Sequence, residues 1–175
     1  AVLLDSVRDA HDAQLVAERV VQAVRAPVAL DGTEVSVGAS VGIAVAEIGE
    51  TAEELLRNAD VAMYRAKQRG KGCHETFAPE MHADLLDRLE LEADLRRALA
   101  DPACAEFRVL YQPIVKLDGG GTTGVEALVR WQHPKRGLTA PLQFIPLAEE
   151  TGLIVPLGRW VLREACRRAA GWQRR

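Results

Sequence analysis

Residues 124–134 read GVEALVRWQHP. The branched and aromatic residues Val125, Val129 and Trp131 mark a strand that enters a core. Yet the same run holds a carboxylate, Glu126, and a guanidinium, Arg130. Side chains alternate across a strand. Val125, Ala127, Val129 and Trp131 therefore share one face, and Glu126, Leu128 and Arg130 share the other. At about 3.3 Å per residue the two charges lie roughly 13 Å apart, too far for an ion pair with each other. In a buried strand each needs its own partner, because an unpaired buried charge is costly. For Glu126 that partner is a metal ion or an arginine elsewhere. For Arg130 it is a carboxylate or a phosphate, which its planar fork fits. Spacing alone favours the plainer arrangement: two structural salt bridges, or an edge strand with one wet face.

The preceding apolar run, FRVLYQPIV (107–115), carries Gln112 next to Pro113. A central proline removes a ladder hydrogen bond, so the strand is expected to end or bend there. Gln112 then sits at a strand end, where ligand-facing groups of α/β folds gather. An amide satisfied by backbone is the plainer reading.

Working outward, AVLLD (1–5) reads as a buried strand. A helix then starts at Asp9 or Asp12, presents Val16, Val20 and Val24 on one face, and stops at Pro27. Residues 28–47 read as strands, with a tight turn at Asp31-Gly32. Thr51 and Glu54 form a capping box for a helix whose expected buried face is Leu55, Leu56, Ala59, Met63 and Ala66. Lys67, Arg69 and Gly70 signal its end. CHETFAPE (73–80) suits a short edge strand. From about Pro79 to Asp101-Pro102 the chain is charged and periodic in Leu, without Gly or Pro inside, as befits a connecting helix. Beyond lie the two strands (107–115 and 123–131), a glycine loop between them, a loop at His133-Pro134, and helices near 141–150 and 157–174. The first part reads β-α-β-β-α-β and the second α-β-β-α-α. Both are mixed α/β, and neither closes on itself. The chain opens without a Met and is expected to belong to something longer.

The net charge of −3 offers no general attraction for nucleic acid or an anionic membrane. The Arg residues near Arg167 and Arg174 read as the solvated face and frayed end of a helix. Cys73, Cys104 and Cys166 have neither zinc nor disulfide spacing and are expected to be free thiols in a reducing compartment. No apolar run approaches the roughly 20 residues that cross a bilayer, and no signal peptide is visible. Walker loops, dinucleotide fingerprints, zinc-protease motifs and nucleophile elbows are absent. His74, His82 and His133 have no metal partner nearby in sequence. Lys67 and Lys71 straddle a helix end. They suit phosphates, but capping of the last carbonyls is the plainer reading.

Longer runs add a resemblance. YQPIV, GVEALVRWQHPKRG and FIPLAEETGLIVPLGRWVLREAC resemble, in order, the opening of EAL domains over Phe107–Trp172. VSVGASVGIAV and LLRNADVAMYRAKQRGKG resemble the C-terminal half of a GGDEF domain, and AVLLD resembles the segment just after that family's signature. The resemblance implies an α+β GGDEF-type half domain (1–79), a connecting helix (80–100) and the start of a TIM-like EAL barrel (101–175), both domains incomplete.

It further implies cyclic di-GMP turnover: synthesis from GTP by GGDEF domains and hydrolysis to pGpG by EAL domains, with Mg²⁺ or Mn²⁺. By the same resemblance Glu126 is a metal ligand, and Gln112, Leu128 and Arg130 line the cyclic di-GMP site. Lys67 and Lys71 approach the GTP phosphates. A metal-activated water attacking the phosphodiester in line is the implied mechanism. The GGDEF signature, the further EAL metal ligands and the catalytic Lys are not in this chain, and one carboxylate does not make such a metal centre. The chain alone is therefore expected to be inactive. The parent is expected to be a cyclic di-GMP phosphodiesterase, with a non-catalytic cyclic di-GMP receptor and a diguanylate cyclase as alternatives. A bacterial cytoplasmic location, a homodimeric parent, no nucleic-acid partner, and membrane attachment only through parts outside this chain complete the expectation.

Overall fold

In the computed structural model, residues 1–5, 7–117 and 119–173 are described, and they divide into two units, 1–87 and 88–175. In the first unit, helix α1 (Ala10–Arg25) is capped by Asp9, whose carboxylate accepts from the N–H groups of His11 and Asp12 at 2.9 and 3.1 Å. Pro27 follows its C-cap, Ala26. The buried stripe is Ala13, Ala17 and Val21, not the expected Val16, Val20 and Val24. Small side chains let α1 approach strand β3, where Ile43 completes that cluster.

Strands β1 (Val28–Leu30) and β2 (Thr33–Val35) form the expected hairpin. Its turn residues Asp31 and Gly32 both have positive φ, 48° and 81°, which matches the strand twist. Strand β3 (Val41–Ile43) pairs in parallel with β4 (His74–Thr76), and helix α2 (Ala52–Gln68) makes the crossover. Thr51 and Glu54 close the capping box.

A Cβ at Gly42 would lie 1.9 Å from the Ala59 carbonyl oxygen, so glycine is what lets α2 lie this close to β3. The helix buries Val61, Ala62 and Ala66, whereas the expected Leu56 is 54% exposed. Of the expected face Ala66 is buried and Leu55, Ala59 and Met63 are half-buried; Val61 and Ala62 are buried as well because they meet Met81 in a second cluster that local periodicity does not reveal. AVLLD is not a strand: Val2 and Leu3 are 80% and 82% exposed, with no ladder to join.

Helix α3 (Glu80–Ala100) leads into the second unit. There β5 (Phe107–Val115), β6 (Thr122–His133) and β7 (Gly137–Thr139) form an antiparallel sheet in that order, followed by α4 (Pro141–Glu150) and α5 (Ile154–Gln173). The expectation around Arg174 lies outside the described residues. Strand β5 does not end at Gln112. Pro113 pairs with Val125, and the register shifts only between Ile114 and Val115. Proline is tolerated because β5 is the edge of this sheet and its missing N–H leaves no interior ladder broken. The His133-Pro134 segment is likewise not an open loop but a tight turn into β7.

The core of this unit joins Leu91, Leu95 and Ala98 of α3 to Phe107, Trp131, Phe144, Leu147 and Leu157. Trp131 is fully buried, stacked 5.7 Å from Phe107 and set edge-on 5.6 Å from Phe144.

Candidate ligand-binding face of the β5–β6 sheet

The register of β5 and β6 sorts every side chain of the charged strand. Residues directly opposite one another project to the same face. Phe107 with Trp131, Val109 with Val129 and Tyr111 with Ala127 occupy one face. That face is packed: Phe107 also meets Trp160 of α5 at 5.8 Å, and Tyr111 meets Trp172 edge-on at 4.9 Å. The Tyr111 hydroxyl is buried without a hydrogen-bond partner, and burial pushes its pKa up.

The opposite face carries Arg108 with Arg130, Leu110 with Leu128, and Gln112 with Glu126. It is open. Leu110 is 49% exposed, and Gln112 and Glu126 are exposed. Of the alternatives that spacing leaves open, the wet face is the one found, although β6 is the central strand of the sheet and not an edge. Glu126 makes no ion pair among the described residues. Half-buried Arg130 donates from one terminal nitrogen to the Val129 carbonyl at 2.8 Å. Water solvates the rest of both groups, so the open face holds them without the desolvation cost of a core.

The structure thus sets Gln112 directly across from Glu126 and places Leu128 and Arg130 further along the same face. Among the described residues no group of three or more His, Cys, Asp or Glu side chains is placed to hold a metal ion. Glu126 is a single carboxylate, and the residues present do not by themselves fit a divalent metal centre.

Lys67 and Lys71 belong to the first unit. Lys67 is exposed in the last turn of α2. Lys71 follows the helix with φ of 63°, exposed, and its backbone N–H reaches the Ala66 carbonyl at 3.3 Å. That carbonyl also receives the Cys73 thiol at 3.3 Å. The Ala66 carbonyl is thus satisfied by backbone and thiol, and among the described residues neither ammonium hydrogen-bonds a carbonyl of this helix end.

Behind the sheet lies a network that spacing did not reveal. His133 is buried, and its Nδ1 accepts from the backbone N–H groups of Lys135 and Arg136, both at 3.1 Å. Its Nε2 therefore carries the proton and donates to Asp94 of α3 at 3.0 Å. Asp94 also accepts from Arg97, which reaches Glu106, and Glu106 accepts from the Trp131 indole at 2.9 Å. Burial pushes both carboxyls up. For Asp94 the bonds from Arg97 and His133 outweigh it, and for Glu106 those from Arg97 and Trp131 do, so both are held below their usual values. Only the sequence order His-Pro before a basic turn hinted at a structural histidine. Its partner lies 39 residues earlier. All three cysteines are free. Among the described residues no helix is long and apolar enough to cross a membrane.

Two families match this chain: "Diguanylate cyclase, GGDEF domain" over residues 1–73 and "EAL domain" over residues 92–175. The chain is 45% identical over 172 residues to the bifunctional diguanylate cyclase/cyclic di-GMP phosphodiesterase MucR of Pseudomonas aeruginosa, covering 98% of this chain and 25% of that protein. It is 41% identical over 167 residues to the cyclic di-GMP phosphodiesterase NbdA of the same organism, covering 95% of this chain and 21% of that protein. Among solved structures, the phosphodiesterase of MucR in complex with c-di-GMP matches with 51% identity and a TM-score of 0.44, over 48% of this chain and 33% of that one. The chain thus spans about a quarter or less of the length of these two curated relatives. With a GGDEF match followed by an EAL match, and with such identity over nearly its whole length, the chain belongs to the tandem GGDEF–EAL family.

Proposed function

We propose that the protein carrying this chain hydrolyses cyclic di-GMP to pGpG through its EAL part, and that these 175 residues alone turn over nothing. The observation that carries this reading is the open face on which Gln112 stands opposite Glu126, with Leu128 and Arg130 in line. It is supported by kinship to proteins described as cyclic di-GMP phosphodiesterases. On this reading Leu128 offers apolar surface to a base, and the Gln112 amide hydrogen-bonds the ligand. Arg130 balances phosphate charge. Glu126 is one ligand of a Mg²⁺ or Mn²⁺ ion, the others coming from outside this chain. Bound there, the metal would supply Lewis-acid chemistry. Residues 1–79 form the cyclase-like part, in which Lys67 and Lys71 face GTP phosphates. Residues 80–100 connect it to the EAL part from residue 101. A cytoplasmic site of action and a homodimer accompany the reading.

The full-length protein incubated with cyclic di-GMP and Mn²⁺ should release pGpG, measured by chromatography, and a chelator should stop it. Glu126→Gln should slow it by more than about 100-fold, since even the outer partners of a catalytic metal contribute roughly 10–100-fold. Binding without pGpG would replace this reading with a non-catalytic receptor. No binding would overturn both. Release of pGpG by the 175-residue chain alone would overturn the statement that it is inactive.

A further inference from the structure

The open face has a third rung whose composition is unusual. Arg108 of β5 stands directly opposite Arg130 of β6. Like charges in directly opposed positions of an antiparallel pair repel, with Cβ atoms roughly 5 Å apart. Proteins normally relieve such a pair with a carboxylate. Here, among the described residues, neither guanidinium pairs with one. Arg108 is exposed, and Arg130 donates only to the neighbouring Val129 carbonyl, at 2.8 Å. The nearest carboxylate in the ladder is Glu126, two rungs away and separated by the Leu110–Leu128 rung. Charged rungs on an open sheet face cost stability unless something outside the fold relieves them.

The order of the rungs says what relieves this one. Along a single face run a cation pair, an apolar pair, and an amide beside a carboxylate. Resting on the proposed phosphodiesterase reading, we propose that Arg108 is a further substrate-binding residue, which with Arg130 grips a phosphate of the cyclic dinucleotide that is not the one at Glu126. The chemistry fits the substrate class. A cyclic dinucleotide carries two phosphodiesters, so cleavage of one at the Glu126 end leaves the other as a fixed anchor for two planar forks. The Leu110–Leu128 rung between them offers an apolar platform to a base. The grip acts on ground state and transition state alike, because the held phosphate does not react, so its loss appears in KM more than in kcat.

The test uses the full-length protein and compares wild type with Arg108→Gln and Arg108→Lys. Arg108→Gln should raise KM for cyclic di-GMP about tenfold, the size of one charge-assisted hydrogen bond, while kcat changes less than about twofold. Arg108→Lys should recover part of the loss, keeping charge without the fork. The melting temperature of Arg108→Gln should equal or exceed that of wild type, because a repulsion is removed. A structural role for Arg108 predicts the opposite, a fall in melting temperature. If wild type binds and cleaves cyclic di-GMP and Arg108→Gln matches its KM, the grip is overturned and the phosphodiesterase reading stands. If wild type neither binds nor cleaves, both fall together.

Discussion

At the scale of single residues, His133 is the clearest case of a side chain whose meaning lies in its partners. Truncating it leaves two backbone N–H groups without their bonds inside the fold and leaves the Asp94 carboxylate with Arg97 alone of the two partners named. His133→Ala should destabilise the second unit by about 3 kcal/mol, measured as a lower urea midpoint. The same network sets an acid dependence. Asp94 and Glu106 are held below their ordinary values of 3.8 and 4.5. A carboxyl with a depressed folded pKa binds protons more readily when unfolded, so its contribution is full above the ordinary value and is lost as pH falls through the lower folded one. Urea midpoints should therefore be flat down to about pH 5 and fall below about pH 4.5, and Glu106→Gln should flatten that fall. The sequence placed Glu126 and Arg130 on one face correctly, because alternation is a local property. Whether that face is buried or wet stayed open between the alternatives, because burial depends on what packs there.

At the scale of elements, local signals and close packing did different work. Capping chemistry is written in neighbouring residues, and so the Thr51–Glu54 box and the Asp31-Gly32 turn were legible. Which stripe of a helix is buried was not. In α1 the structure buries the small residues Ala13 and Ala17 against Ile43 of β3, in α2 it buries Val61 and Ala62 against Met81, and Gly42 is what lets α2 lie close to β3. Gly42→Ala would drive a methyl into the Ala59 carbonyl and the Met63 backbone. Backbone atoms of a helix do not give way as a flexible side chain does. The substitution should cost at least about 3 kcal/mol and show as a lower melting temperature of the first unit. Pro113 teaches the converse. A local rule ended β5 at Gln112, but the rule applies to central strands, and edge position is a property of the sheet.

At the scale of the whole molecule, each unit leaves apolar surface uncovered. In the first, Val2 and Leu3 stand in solvent. In the second, Ile114, Val115 and Leu138 are 52%, 57% and 63% exposed, on a sheet whose β5 edge is open. Unpaired strand edges with apolar side chains template association. The 175-residue chain should therefore self-associate, seen by light scattering and by binding of a hydrophobic dye. A soluble monomer with one cooperative melting transition would contradict this.

The sequence by itself determined the helices, the strand alternation, the caps, and the ordered motifs that place the chain in its family. All of these are carried by residues close together in the chain, where periodicity and turn chemistry act. Only the tertiary structure decided that Gln112 faces Glu126, that Arg108 faces Arg130, and that Asp94 holds His133. Those are pairings between distant segments. Strand register and core packing fix them, and no local pattern encodes which of two faces the rest of the fold will cover.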